Sequence, residues 1–232
     1  MLLTDIKESL LHLVFPHVCA GCGTDVLDTK QSICLRCHEA LPQTHFEQYS
    51  NNPVEKLFWG RLLLVAATAQ YYFTRGALIQ RLMHAFKYKG DKALGFYLGQ
   101  QVGNSLAQTN RFASIDAIVP LPLFAAKERA RGYNQATVLC EGIADVFQKP
   151  ILKNAVVRTS HTESQTRKSR IERWQNIEGR FEVANVQDLV GKNVLLVDDV
   201  VTTGATLEAC GTALLAVEGV QLSMATLCFS VL

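Results

Sequence analysis

The chain has 232 residues, 48% of them apolar and 19% charged, and a formal charge of +2 at pH 7. That length suits one α/β domain with a small appendage, because a single core takes ~100–200 residues. The composition excludes disorder and coiled coil, and the near-neutral charge leaves any polyanion binding to local patches.

Asp5 and Glu8 stand where a secretory leader would carry basic residues, so the N-terminus reads as mature sequence. Leu2, Leu3, Ile6, Leu10, Leu13 and Val14 recur at helical spacing and predict an amphipathic helix over 2–15, ended by Pro16. Residues 17–42 hold four cysteines between glycines and Pro42, a stretch too short and turn-rich for an apolar core of its own. Residues 44–53 are polar and read as a linker, dividing an N-terminal helix and cysteine module (1–43) from a main domain (54–232).

In the main domain, residues 62–73 predict a strand, and 77–88 and 92–107 predict helices around a Lys89-Gly90-Asp91 turn. Strands over 115–119, 194–197 and 222–229 then alternate with helices over 135–147 and 206–217. Strands apolar on both faces, alternating with helices, predict a mainly parallel sheet flanked by helices. Residues 158–180 are polar and basic without periodicity and read as a long functional loop. The most apolar run, 62–69, is far short of the ~20 residues that span a bilayer, so no membrane span is expected.

Seven cysteines with no export signal point to a reducing compartment, the cytoplasm, where paired cysteines bind metal more often than they form disulfides. Cys19-x-x-Cys22 and Cys34-x-x-Cys37 match a four-thiolate tetrahedral zinc site of ribbon or knuckle type. Four thiolates leave no position for water, so this Zn²⁺ is structural, and its binding supplies ~10–16 kcal/mol that so small a segment cannot obtain from burial. Two disulfides or free thiols are the competing reading, and His17 or His38 could replace one ligand. Cys140, Cys210 and Cys228 lie in apolar patterns and read as core.

The strongest signal is Val194-Leu195-Leu196-Val197-Asp198-Asp199-Val200-Val201-Thr202-Thr203-Gly204-Ala205-Thr206-Leu207. A buried strand runs into two acids, then a Thr/Gly loop, then a helix whose N-terminus offers unpaired N–H groups to an anion. Carboxylates repel phosphate but suit sugar hydroxyls or a divalent cation, so the pattern predicts a ligand with phosphate at one end and a diol beside it. No Gly-x-x-x-x-Gly-Lys-Ser/Thr loop occurs, which excludes a P-loop. This string resembles the signature of type I phosphoribosyltransferases for phosphoribosyl pyrophosphate (PRPP). The resemblance implies that Thr202, Thr203, Gly204, Ala205 and Thr206 hold the 5′-phosphate, with Val200 beside them. It also implies that Asp198 and Asp199 engage the ribose hydroxyls, and that Mg²⁺ accompanies PRPP.

Three further segments narrow the resemblance: Phe86-Lys87-Tyr88-Lys89-Gly90, Pro120-Leu121-Pro122-Leu123 and Arg131-Gly132-Tyr133-Asn134-Gln135-Ala136. With the paired Cys-x-x-Cys motifs ahead of them, they are similar to the ComF family over nearly the whole chain. The fold implied is that of a type I phosphoribosyltransferase with an N-terminal four-cysteine, zinc-ribbon-like module. Pro120, Leu121, Pro122 and Leu123 fall where such enzymes bind pyrophosphate, with proline-rich wording in place of small or basic residues. Arg129, Arg131, Asn134 and Gln135 follow as donors to the same anion; the bland reading makes Asn134 a helix cap and the arginines a solvated face. The 158–180 loop carries six Lys and Arg against three Glu, and Arg158, Gln165, Arg170 and Asn176 sit where the family's Arg, Gln, Arg and Asn recur.

The chemistry implied is displacement at ribose C1′ with loss of pyrophosphate, for which Asp198, Asp199, Arg158 and Arg170 are the candidate catalytic residues and a nitrogenous compound the acceptor. Leu2 follows Met1 where glutamine-dependent versions carry a cysteine nucleophile, so no glutaminase function is expected. The competing implication is a non-catalytic competence factor on the same fold, retained as a nucleotide sensor or scaffold, with single-stranded DNA or a competence helicase as partner and DNA uptake as its role. Residues 17–42 are a poor polyphosphate surface, so DNA contact is expected at Lys87, Lys89, Lys127, Arg129, Arg131 and the 158–180 loop.

Overall fold

A computed structural model of the chain describes residues 17–27, 31–159 and 180–230. The helix expected over 2–15 and nearly all of the basic loop, including Gln165, Arg170 and Asn176, lie outside the described residues.

Six strands follow one another in the chain: β1 (Ala66–Phe73), β2 (Ala117–Pro120), β3 (Val156–Thr159), β4 (Arg180–Val183), β5 (Asn193–Val201) and β6 (Gln221–Ser230). Four of them form a parallel sheet in the order β1-β6-β5-β2, while β3 and β4 pair antiparallel as a separate ribbon. The helices are α1 (Leu35–Glu39), α2 (Pro53–Leu57), α3 (Leu78–Tyr88), α4 (Lys92–Ala107), α5 (Ala125–Arg131), α6 (Gln135–Phe147) and α7 (Ala205–Leu215).

Because side chains alternate across a strand, the sheet builds a core on each face. Leu195 and Val197 of β5 pack with α3, α4, α6 and the cysteine module. Val194 and Leu196 pack with α7, Phe58 and the β3–β4 ribbon. Helices α4 and α6 approach so closely that a Cβ at Gly99 would lie 2.3 Å from the Leu139 carbonyl oxygen, and one at Gly142 would lie 2.1 Å from that of Phe96. Glycine is the residue that permits this contact.

Three expectations change. The first strand starts at Ala66 rather than 62, because the Phe58 carbonyl accepts the N–H groups of Arg61 and Leu62 and holds them in a turn. Strand β5 does not stop at Val197: β6 pairs with it through both acids, matching Asp198 to Thr226 and Val201 to Phe229. The stretch read as a linker is built into the domain. Asn52 is fully buried; its amide donates to the carbonyls of Phe46, Tyr49 and Ala67, and its Oδ1 caps α2 by accepting from Val54 and Glu55. Polar residues there satisfy buried backbone rather than solvent.

Candidate functional site

At the carboxyl end of β5 an open cleft of about 260 Å³ is lined by Asp198 and by Val200 through Leu207. Its floor is the start of α7, whose N-cap is Gly204 and whose first turn receives no side-chain cap at that position. Thr203 Oγ1 accepts the Ala205 N–H at 3.4 Å, and the other orphan donors of this turn belong to cleft-lining residues at the positive end of the helix dipole. Gly204 is fixed twice over. Its φ of +78° suits glycine, and a Cβ there would meet the Phe58 ring at 2.9 Å. Phe58 thus sets the height of the loop from beneath, and no local pattern in the sequence links it to that role.

Arg61 ties the same loop to α2. Its guanidinium donates to the Leu57 carbonyl, to Glu208 Oε2 at 2.6 Å and to the Thr203 carbonyl at 3.3 Å. The Thr202–Thr206 loop is therefore held by a cation that is not among the cleft-lining residues.

The two acids are separated by the pleat of β5. Asp198 lines the cleft, whereas Asp199 turns to α3 and pairs with Lys87, Nζ to Oδ2 at 2.9 Å. Burial, followed by the neighbouring Asp199 charge, pushes the Asp198 carboxyl up to about 8; the Asp199 N–H, Lys87 and Arg158 oppose the shift. The direction of this shift favours the protonated carboxyl and so lessens its repulsion of an anion in the cleft.

Of the other sequence candidates, Arg158 lies in β3 with its guanidinium 3.6 Å from the Phe124 ring centroid and 5.0 Å from that of Phe181. It stacks against the residue that follows Pro120–Leu123 and bears electrostatically on Asp198. Leu121 is buried, and its N–H donates to the Val197 carbonyl at 2.8 Å, which sets this segment one strand away from the acids. None of Pro120, Leu121, Pro122 and Leu123 lines the cleft. Asn134 and Gln135, read as anion donors, have both amide ends engaged within the protein. Asn134 caps α6 through Ala136 and donates to the Leu121 carbonyl; Gln135 accepts from Arg131 at 2.7 Å and donates to the Tyr133 carbonyl. Arg129 is exposed on α5.

The cysteines form a second centre. Sγ atoms of Cys19, Cys22, Cys34 and Cys37 all lie within 4.8 Å of one another, and Cys22 and Cys34 are 3.7 Å apart. A tetrahedral zinc with Zn–S bonds of ~2.3 Å separates its sulfurs by about 3.8 Å, so the donor set fits the ion, whereas a disulfide does not span these distances. Burial pushes the Cys19 thiol up, yet N–H groups of Cys34, Cys22 and Gly21 directed at its sulfur outweigh this and bring it down to about 6. Burial pushes the Cys37 thiol up instead, so of these two Cys19 is the readier thiolate. His38 is turned away, its Nδ1 2.6 Å from the Tyr97 hydroxyl of α4. The module is docked on the main domain: a Cβ at Gly21 would lie 2.7 Å from Leu78 of α3, and Arg81 donates to the Gly21 carbonyl. Among the described residues no helix is long and apolar enough to cross a membrane.

A four-stranded parallel sheet with an anion loop after a paired-acid strand is the arrangement of a type I phosphoribosyltransferase domain, and residues 134–230 match the family model described as the phosphoribosyl transferase domain. The chain is 29% identical over 214 residues to Competence protein F of Haemophilus influenzae, covering 91% of this chain and 90% of that one. It is 27% identical to the DNA utilization protein YhgH of Escherichia coli K12, covering 82% and 80%. Among solved structures it is similar to a glutamine PRPP amidotransferase from B. subtilis at 15% identity and a TM-score of 0.40, covering 61% of this chain and 30% of that one. The chain is thus similar to ComF-type competence proteins over most of its length, with a four-cysteine module ahead of a region that matches the phosphoribosyl transferase domain.

Proposed function

We propose that this chain is a cytoplasmic, PRPP-binding phosphoribosyltransferase that transfers the phosphoribosyl group to a nitrogenous acceptor, with structural zinc in its four thiols. One observation carries the reading: Asp198 and the first turn of α7 line one cleft, so an acid and backbone donors at a helix N-terminus converge where a sugar phosphate fits. In the reaction the ribose C1′–oxygen bond to pyrophosphate breaks, a C1′–nitrogen bond forms, and the acceptor's proton passes to solvent. Thr202 to Thr206 hold the 5′-phosphate, Asp198 orients the hydroxyls with Asp199 held beside it by Lys87, and Arg158 and Arg170 are the proposed cations for the charge that develops on pyrophosphate. Mg²⁺ bound with the diphosphate supplies further neutralisation of the leaving group.

Isothermal titration with PRPP and Mg²⁺, followed by a pyrophosphate-release screen over amines and bases, tests this. Saturable binding abolished by Asp198→Asn together with Asp199→Asn is expected, and no heat with the folded protein rejects it. Binding without turnover moves the assignment to a nucleotide sensor.

A second reading, single-stranded DNA binding in the service of DNA uptake, is favoured by one surface. Tyr88 is 63% exposed, Arg131 lies 5.5 Å from its ring centroid, and Lys89, Lys127 and Arg129 are exposed. An aromatic ring beside cations is a base-stacking platform. Filter binding across a salt series tests it, and a salt slope near zero rejects it.

A further inference from the structure

Arg61 does not line the cleft, yet its guanidinium joins the end of one helix to the start of another. Nε and Nη2 donate to the Leu57 carbonyl, an orphan acceptor at the C-terminal end of α2. Nη1 meets Glu208 Oε2 at 2.6 Å in the first turn of α7, and Nη2 also donates to the Thr203 carbonyl at 3.3 Å, 142 residues away in the chain. The guanidinium carbon lies 5.9 Å from the centroid of the Phe58 ring, the same ring that a Cβ at Gly204 would strike.

These contacts bear on the loop in two ways. A trans peptide is planar, so its carbonyl and the following N–H point in opposite directions. With the Thr203 carbonyl turned to Arg61, the Gly204 N–H points away from that cation, and Gly204 lines the cleft. The second effect is one of charge. Glu208 directly follows the last lining residue, Leu207, and its side chain is 29% exposed. Left unpaired, its carboxylate would occupy the positive end of the α7 dipole and repel an anion drawn to the same end. Paired with Arg61, it adds little net charge beside the loop.

We propose that Arg61 is a positioning residue of the phosphate site: it cancels the charge of Glu208 and holds the Thr203 carbonyl outward, so the loop offers its donors to a phosphate monoester with no free carboxylate next to them. The identity of the ligand rests on the PRPP reading, whereas the set of the loop does not.

Isothermal titration of ribose 5-phosphate into the full, zinc-loaded chain reads the charge, and the amide nitrogen resonance of Gly204, which responds to hydrogen bonding at the preceding carbonyl, reads the orientation without ligand. Arg61→Met is expected to weaken binding roughly tenfold and to shift that resonance. Arg61→Met with Glu208→Gln should regain part of the lost affinity, and Glu208→Gln alone should bind at least as tightly as wild type. Arg61→Lys, which keeps the charge but not the fork, should fall between wild type and Arg61→Met. Arg61→Gln serves as the neutral variant should the Met form not fold. A folded neutral variant with wild-type affinity overturns the proposal, as does a double variant that binds no better than the single one. Wild type giving no heat with ribose 5-phosphate rejects the ligand reading; the Gly204 resonance then decides the role of Arg61, and an unchanged position in the neutral variant overturns it.

Discussion

Lys87 and Asp199, from opposite halves of the chain, meet with Nζ 2.9 Å from Oδ2, while Asp198 beside them lines the cleft with no ion pair to a described residue. One acid of the doublet is paired with a lysine, and burial pushes the other toward its protonated form. Together they let an anion approach a site that carries two carboxyl groups.

Removing one partner of this pair leaves an uncompensated charge in a poorly hydrated place. Breaking a buried pair costs ~3–5 kcal/mol, and the residual exposure puts this one at the lower end. Lys87→Met should therefore lower the urea midpoint more than Lys87→Met with Asp199→Asn, as read from a double-mutant cycle. Additive effects would show that the contact has no energetic weight.

Stability should depend on Asp198 in a fixed direction. Its carboxyl titrates near 8 in the folded chain and near 3.8 when free, so between those values the native state holds a proton that the unfolded state has lost. Its contribution to stability is thus present in full at acid pH and declines as pH rises from about 4 to about 8. Asp198→Asn lacks this decline, so its Tm relative to wild type should climb across that window, by ~2–4 °C for each kcal/mol recovered. A Tm difference independent of pH would contradict the assignment.

The anion loop should be sensitive to Gly204. Alanine there combines a left-handed backbone, costing ~1–2 kcal/mol, with a clash against Phe58. Gly204→Ala should weaken binding of ribose 5-phosphate, measured calorimetrically, by more than tenfold. Pairing it with Phe58→Ala should relieve the clash and leave the backbone penalty, giving partial recovery of affinity. Unchanged affinity in the single variant would place the phosphate elsewhere.

Metal analysis of the purified chain should find a single zinc, lost in Cys37→Ser and kept in His38→Ala, since His38 is bonded to Tyr97 rather than turned to the thiols. Chelation should lower Tm and loosen the face of α3 that Gly21 and its neighbours cover, seen as faster amide exchange at Leu78 and Arg81. A chain that keeps its zinc after loss of Cys37 would exclude the four-thiolate site.

Much of this protein was legible in the linear sequence, and for one reason: the signals concerned are local. Helix periodicity set 92–107 and 135–147 to the residue. Two short cysteine spacings defined a four-sulfur cluster, and an apolar run ending in two acids and a Thr/Gly turn marked the cleft. What only the tertiary structure decided are relationships between distant segments. The pleat of β5 and its pairing with β6 sent Asp199 away from Asp198 and toward Lys87. Docking of 44–53, where composition suggested a linker, placed Asn52 in the interior, and the residues after it set Phe58 against Gly204. Asn134 and Gln135 proved to be internal fastenings once α6 met the end of β2. Such contacts follow from how helices and sheet pack. No window of sequence records that packing, because each side chain's partner lies in another part of the chain.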